Sequence, residues 1–230
     1  ATRRWYYFVP GSGEPRGLVH KIEPHSLAAV PGEKYPYAGW NAQLDGVRRI
    51  LGGARRIAMQ YSPMCAIPYV SMVDAGTIEL VRSLGVEIVS SANLIQFFEA
   101  RWTDEQLEMH LEAGRRVDRV RASAFRLIGD KHRDGVPVNE FEIQQFIRAE
   151  FEASGMVTDH GPIVAVNGNA SDPHYEPSAE QHAPIRPGDS VLIDLWAKLD
   201  RPHAVYYDVT WDGFCGAQPP SKLVNVFEIV

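Results

Sequence analysis

Two aspartates lie in strand-like runs that a hairpin would bring together. Asp194 sits in Ser190-Val-Leu-Ile-Asp-Leu-Trp-Ala197 and Asp208 in Ala204-Val-Tyr-Tyr-Asp-Val-Thr-Trp211. Side chains alternate across a strand, so Leu192, Asp194 and Trp196 share one face of the first run, and Tyr206, Asp208 and Thr210 one face of the second. A hairpin centred near Arg201 sets each aspartate seven residues from the turn. The carboxylates are then expected directly opposite each other, with Cβ atoms about 4.5–5.5 Å apart. Like charges so placed are destabilising unless something positive lies between them. A divalent metal ion, or a pair, is the simplest candidate. Alone, Asp194 is explained as well by a bond to a backbone amide or an arginine; the pairing with Asp208 favours metal.

A third residue with chemistry is His174, in the loop Asn169-Ala-Ser-Asp-Pro-His-Tyr175. It suits a ligand or a substrate-facing hydrogen-bond donor. His160, His182 and His203 have no comparable context and read as surface or supporting residues. His174 and His182 lack the spacing by which one helix holds zinc. Gly11-Ser-Gly-Glu-Pro-Arg-Gly17 lacks the Gly-Lys-Ser/Thr of a phosphate loop and reads as a turn. No Gly-x-Ser-x-Gly elbow occurs and neither cysteine has a nucleophile's setting, which disfavours side-chain nucleophilic catalysis. Trp102, Trp196 and Trp211 are expected in the core.

The elements that must position these residues fall into two parts, residues 1–102 and 103–230. In the first, Trp5–Val9 and Leu18–Ile22 flank a Gly-Ser-Gly-Glu-Pro turn and predict a hairpin. A strand at 56–60, a helix at 75–84 closed by Gly85, a strand at 86–89 and a helix at 91–100 predict a small α/β domain with one mixed sheet. In the second, Thr103-Asp-Glu-Gln106 is a capping box. It opens a long amphipathic helix to about Lys131, with Leu107, Leu111, Val117, Val120, Ala124, Leu127 and Ile128 as its stripe. Asn139-Glu-Phe-Glu142 opens another helix in the same way, with Ile143, Phe146, Ile147 and Phe151 inward and Gly155 as its stop. Strands follow at 163–166, 191–197 and 205–211.

Composition sets the outer limits. The chain has 230 residues, 45% hydrophobic and 23% charged, as in a soluble globular protein. A net charge of −6 argues against a nucleic-acid or anionic-membrane partner. No apolar run approaches the ~18 residues of a membrane span. The N-terminus has no apolar signal region. Cys65 and Cys215 read as two unrelated buried thiols of a reducing cytoplasm. The chain begins on a strand-like run without Met and stops within an apolar pattern, which reads as a fragment of a longer protein.

Three blocks together carry a resemblance: Val164-Ala-Val-Asn-Gly-Asn-Ala-Ser-Asp-Pro-His-Tyr175, Ile185-Arg-Pro-Gly-Asp-Ser-Val-Leu-Ile-Asp-Leu-Trp196 and Tyr207-Asp-Val-Thr-Trp-Asp-Gly-Phe214. The chain resembles the creatinase/aminopeptidase P/methionine aminopeptidase superfamily (peptidase family M24), and within it the Xaa-Pro aminopeptidase/prolidase branch. The resemblance implies a creatinase-like N-terminal α/β domain over 1–102 and the first half of an α+β pita-bread metallopeptidase domain over 103–230. It implies hydrolysis of a peptide substrate, through attack of a metal-bridged hydroxide on the scissile amide. Two divalent ions are implied, Mn²⁺ by the hard ligand set, with Zn²⁺, Co²⁺ or Fe²⁺ as alternatives. Asp194 matches the ligand of one ion, Asp208 the bridging ligand, and His174 the non-ligand active-site histidine. Oligomerisation through the N-terminal domain is common in such proteins.

The resemblance departs from the family in two places. The family's ligand histidine and two glutamates lie downstream of the Tyr-Asp-x-Thr element, and nothing in Gly213–Val230 matches them. Two of five ligands are thus present, and the chain alone is expected to bind metal weakly and not to cleave peptides. The 14-residue Asp194–Asp208 interval is somewhat long, which fits a longer hairpin loop. Two other readings stay open: a creatinase-like, metal-independent amidinohydrolase, and a non-catalytic binding protein on the same fold. Both tend to lose the metal ligands.

Overall fold

The Gly-Ser-Gly-Glu-Pro segment turns the chain between β1 (Tyr6–Phe8) and β2 (Arg16–His20), an antiparallel pair in which Tyr7 lies across from Gly17. The structure, a computed structural model, describes residues 3–229. Ala1, Thr2 and Val230, used above as chain ends, lie outside them. The chain divides between Arg101 and Trp102 into two units.

In the first unit β3 (Glu33–Tyr37) adds to β2 in parallel, giving a mixed three-stranded sheet. Helix α1 (Trp40–Leu51) follows, and its Val47 and Ile50 bury against Leu18 of β2. Then come β4 (Arg56–Met59), α2 (Ala75–Ser83), β5 (Glu87–Ser90) and α3 (Ala92–Glu99). The expectation of one mixed sheet needs correction. β4 and β5 pair in parallel with each other alone, as a separate two-stranded sheet. Strands this short (three residues in β1, four in β4) each carry a ladder on one side only. Side chains join the two sheets, since Leu18, Ile50, Ile78, Val81 and Ile88 form one core.

The second unit opens with α4 (Asp104–Arg133), whose capping box forms as expected between Thr103 and Gln106. Its buried stripe is Met109, Ala113, Val117, Val120, Ala124 and Ile128. Leu107 and Leu111 are about half exposed instead. The two leucines lie about 100° round the helix from the stripe of Val117 to Ile128, with which Met109 and Ala113 are in phase, and Gly114 at the edge of that stripe lies against Tyr207. A Cβ there would meet the ring at 2.8 Å. After β6 (Val138–Asn139), helix α5 (Glu140–Ala153) is capped by the Asn139 side chain, which accepts from the Glu142 amide at 2.9 Å. The second half of the expected capping box is absent, because the Glu142 carboxylate pairs with Lys131 of α4. Gly155, at φ 67°, follows the Ser154 cap as the sequence predicts.

The remaining elements are β7 (Met156–Val157), β8 (Ile163–Val166), β9 (Pro184–Ile185), β10 (Ser190–Leu199), β11 (Tyr207–Phe214) and the short α6 (Ser221–Phe227). β10 is the centre. It pairs antiparallel with β11 on one side, and with β8 and then β7 on the other. Every second residue of β10 is buried: Val191, Ile193, Leu195, Ala197 and Leu199 pack with α4 and α5. Each large apolar side chain so buried contributes about 1.5–3 kcal/mol. None of the described helices is long and apolar enough to cross a membrane.

Asp74 caps α2, accepting from the Thr77 amide at 3.1 Å and from the Thr77 hydroxyl at 2.8 Å. Arg4 Nη1 donates to the same carboxylate at 2.8 Å. The Arg4 bond, then those from Thr77, lower the Asp74 pKa to about 2. A carboxylate depressed on folding stabilises fully above its unfolded pKa near 3.9, and that stability is lost as pH falls towards 2. Arg4 and Asp74 are both more than half exposed, so the cap outweighs the ion pair. Asp74→Ala is expected to cost about 1 kcal/mol at pH 7. In urea titrations the gap to the parent chain should narrow as pH is lowered from about 4 to 2.

Candidate metal centre

The open face of the β10–β11 pair carries the two aspartates. Alternation places Leu192, Asp194, Trp196 and Lys198 of β10 on the side away from the core. The register pairs Asp194 with Thr210 and Trp196 with Asp208. The hairpin is therefore centred on Pro202, one residue beyond the expected Arg201. Its loop causes the shift: Ala204 N–H closes a turn onto the Arg201 carbonyl at 3.3 Å, with His203 left-handed at φ 61°. The expected direct opposition of the carboxylates is corrected to a diagonal one. They keep a common face, because moving the centre by one residue changes each pairing by two and preserves the alternation. Diagonal neighbours lie about 7–8 Å apart, with Cβ atoms somewhat nearer.

The Thr210 hydroxyl donates to Asp194 Oδ1 at 2.8 Å and fixes that carboxylate from across the strand pair. Burial, then the charge of Asp194, pushes the Asp208 carboxyl above its ordinary range. Among the described residues neither aspartate has an ion-pair partner. Two oxygen-donor groups on one face, close enough to interact and without a cation, suit a hard divalent ion. Among the described residues no third His, Cys, Asp or Glu completes a metal-holding group with them.

The local sequence explains how β10 is aimed. Arg186-Pro-Gly-Asp189 forms a turn in which Asp189 N–H returns to the Arg186 carbonyl at 3.1 Å and Gly188 takes φ 94°. The Asp189 carboxylate accepts from the Arg186 amide and from Asn167 Nδ2, both at 2.7 Å. Asn167, left-handed at φ 50°, accepts from the Ser190 amide at 3.0 Å. Cys215 fastens the other strand to this turn through two backbone bonds, at 2.7 and 2.8 Å.

His174 lies in the segment between β8 and β9, and the structure does not join it to the aspartates. It is exposed, and its amide donates to Asp172 Oδ1 at 3.0 Å. Among the described residues no hydrogen bond or ion pair links its ring to either carboxylate. His182 Nδ1–H donates to the Ser178 carbonyl, 2.8 Å away, and His203 occupies the hairpin loop. His160 is 3.3 Å from Asp159.

The tryptophans are a correction, since none of the three is in the core. Trp211 is 49% exposed on the edge strand β11, with Arg121 3.9 Å from the ring centre. Trp196, opposite Asp208, donates its indole N–H to Asp159 Oδ1 at 2.8 Å, which holds the Asp159 carboxyl below its usual range. Trp102 is partly exposed against His110. Sequence reading also missed Glu140. It is fully buried, and its signal was its phase, three residues before Ile143 on the apolar stripe of α5.

Comparison with known proteins places the chain in a class. Residues 108–230, more than half of the chain, match the model of metallopeptidase family M24, and the chain belongs to that family. Among solved structures, a recombinant prolidase from Thermococcus sibiricus aligns with all of this chain and 58% of its own, at TM-score 0.58 and 18% identity. A dipeptidase, PepE, from Mycobacterium ulcerans aligns with 96% of this chain and 56% of its own, at TM-score 0.60 and 19% identity. An X-prolyl aminopeptidase from Caenorhabditis elegans, described as a cytosolic enzyme with a di-nuclear active site, aligns with 64% of this chain and 23% of its own, at TM-score 0.53 and 19% identity. The chain thus spans under three-fifths of the length of these neighbours. No curated protein matches it.

The cysteines give a test of the packing. Cys65 is exposed, against expectation, at the end of a 3₁₀ turn, Pro63–Cys65, that buries none of its residues. Cys215 is partly covered, and burial, then the Asp189 charge, raises its thiol pKa. In a thiol-labelling time course near pH 7.5, Cys65 should react first and Cys215 at least about tenfold more slowly.

Proposed function

We propose that this chain supplies the first two metal ligands of a dinuclear metallopeptidase acting on Xaa-Pro peptides. The observation that carries the reading is the common open face of Asp194 and Asp208, within the segment that matches family M24. In this reading Asp194 would hold one ion and Asp208 would be the ligand shared by both. His174 hydrogen-bonds the substrate. Residues 1–102 are the creatinase-like N-terminal domain and 103–230 the first part of a pita-bread catalytic domain. When bound, the ions lower the pKa of water and polarise the scissile carbonyl. Thr210, bonded to Asp194 Oδ1, would hold that carboxylate in one orientation and leave its second oxygen for coordination. Hard carboxylate ligation favours Mn²⁺. Neighbours described as prolidases, dipeptidases and a cytosolic X-prolyl aminopeptidase support the substrate class and a cytoplasmic setting. Retention of both aspartates weighs against a metal-independent amidinohydrolase and against a non-catalytic relative.

The test is Mn²⁺ titration by calorimetry, with hydrolysis of Gly-Pro and an Xaa-Pro-Xaa peptide followed in parallel. The 230-residue chain should bind weakly and show no turnover, and a polypeptide extended by the downstream sequence should bind two ions and cleave. Asp208→Ala in the extended protein should weaken binding by at least about tenfold and abolish cleavage. Unchanged stoichiometry in that variant discredits Asp208 as a bridging ligand. Turnover by the 230-residue chain discredits the two-of-five account.

A further inference from the structure

Glu140 is fully buried at the first position of α5, and all four of its partners are donors. Its Oε1 accepts from the Val166 amide at 2.7 Å and from Asn169 Nδ2 at 2.9 Å. Its Oε2 accepts from the Tyr175 hydroxyl at 2.6 Å and from the Ala183 amide at 2.5 Å. Its own amide donates to the Ala183 carbonyl at 3.1 Å. Among the described residues no cation pairs with it. This is the donor set an ionised carboxylate takes, and the α5 N-terminus favours negative charge at the same place.

The partners are distributed in a telling way. Val166 ends β8 and Ala183 precedes β9, so one oxygen holds each end of the segment 167–183. Asn169 and Tyr175 lie inside it. Apart from the 3₁₀ turn Asn167–Ser171, the segment has no helix or strand of its own. Connections of more than about 12–15 residues without structure are uncommon and are usually functional. Two of the donors are backbone amides, and removing the carboxylate would take this partner from each of them. Burial, then the Glu140 charge, holds the Tyr175 hydroxyl far above its ordinary range, so it stays a donor. Tyr175 adjoins His174.

We propose that Glu140 is a positioning residue, whose buried carboxylate anchors residues 167–183 at both ends and in the middle and thereby sets the placement of His174. The proposal rests on the reading of His174 as an active-site residue.

Hydrogen–deuterium exchange on the 230-residue chain tests it, in the parent, Glu140→Gln and Tyr175→Phe, with the histidine ring resonances recorded by NMR. Glu140→Gln should accelerate exchange in 167–183 by about 10- to 100-fold, with α4 and β10 changed less than about threefold. The His174 ring signal should broaden or split while those of His110 and His132 hold. Unchanged exchange in the segment, equal acceleration throughout the second unit, or an unaltered His174 signal overturns the proposal. Should Glu140→Gln fail to fold, Tyr175→Phe removes one donor and should accelerate exchange around 172–177 alone; no change there has the same overturning force. These readouts need neither metal nor substrate. A chain that proves to have no part in a peptidase therefore sinks the functional reading, and leaves the anchoring result to be judged separately.

Discussion

The alternation of β10 is the constraint on which the second unit depends. Val191, Ile193, Leu195, Ala197 and Leu199 must all face α4 and α5, because exposing that row would forfeit several buried side chains at about 1.5–3 kcal/mol each. Fixing that row fixes the other one, Leu192, Asp194, Trp196 and Lys198, on the open side. β11 inherits the constraint through its ladder, so Asp208 and Thr210 come to the same side. The carboxylate pair is therefore held by the hydrophobic core behind it. A slip of a single residue in the β10–β11 ladder would turn Asp208 inward, onto apolar side chains.

The unit treats its carboxylates in two opposite ways. Glu140 is buried completely and receives four donors, so its charge is compensated by the protein itself. Asp194 receives one hydroxyl, and Asp208 is raised by burial and by its neighbour's charge. Both arrangements cost desolvation, and only the first is offset internally. An uncompensated pair on an open face is the arrangement expected of groups that meet their counter-charge from outside.

Much of this organisation is legible in the sequence, and the failures have physical causes. Local rules performed well where the signal was local: the Thr103–Gln106 capping box, the Gly155 stop and the alternation of 190–197 all form. The common face of Asp194 and Asp208 was also legible, since alternation needs only parity. Their diagonal offset was not, because it depends on how the loop 200–206 closes around a left-handed His203. Leu107 and Leu111 were misplaced because apolar character was followed past the point where it leaves the phase of Val117 to Ile128, a phase that Met109 and Ala113 keep. Tryptophans 102, 196 and 211 were assigned to a core on hydrophobicity alone, whereas edge position and a polar indole decide where they lie. Glu140 carried a readable signal, an acidic residue in phase with the apolar stripe of α5, but its four partners come from segments up to 43 residues away.

Membership of family M24 and the geometry of the face bear on different questions. The family describes a chemistry that needs several ligands, and the described residues bring only two carboxylates to one face. A fold that has no use for metal gains nothing from keeping Asp208 beside Asp194. Replacing either with a neutral residue would relieve the like-charge interaction at once. In the proposed reading a cation would relieve the same interaction, with Thr210 holding one carboxylate in a defined orientation. The same reasoning limits what the pair can do unaided. Two ligands on a half-open face leave most of an ion's coordination to water, and binding then lacks the closed geometry that makes a metal site strong. In the proposed reading the aspartates mark where that chemistry would be centred, and its strength would depend on donors that these two strands do not supply.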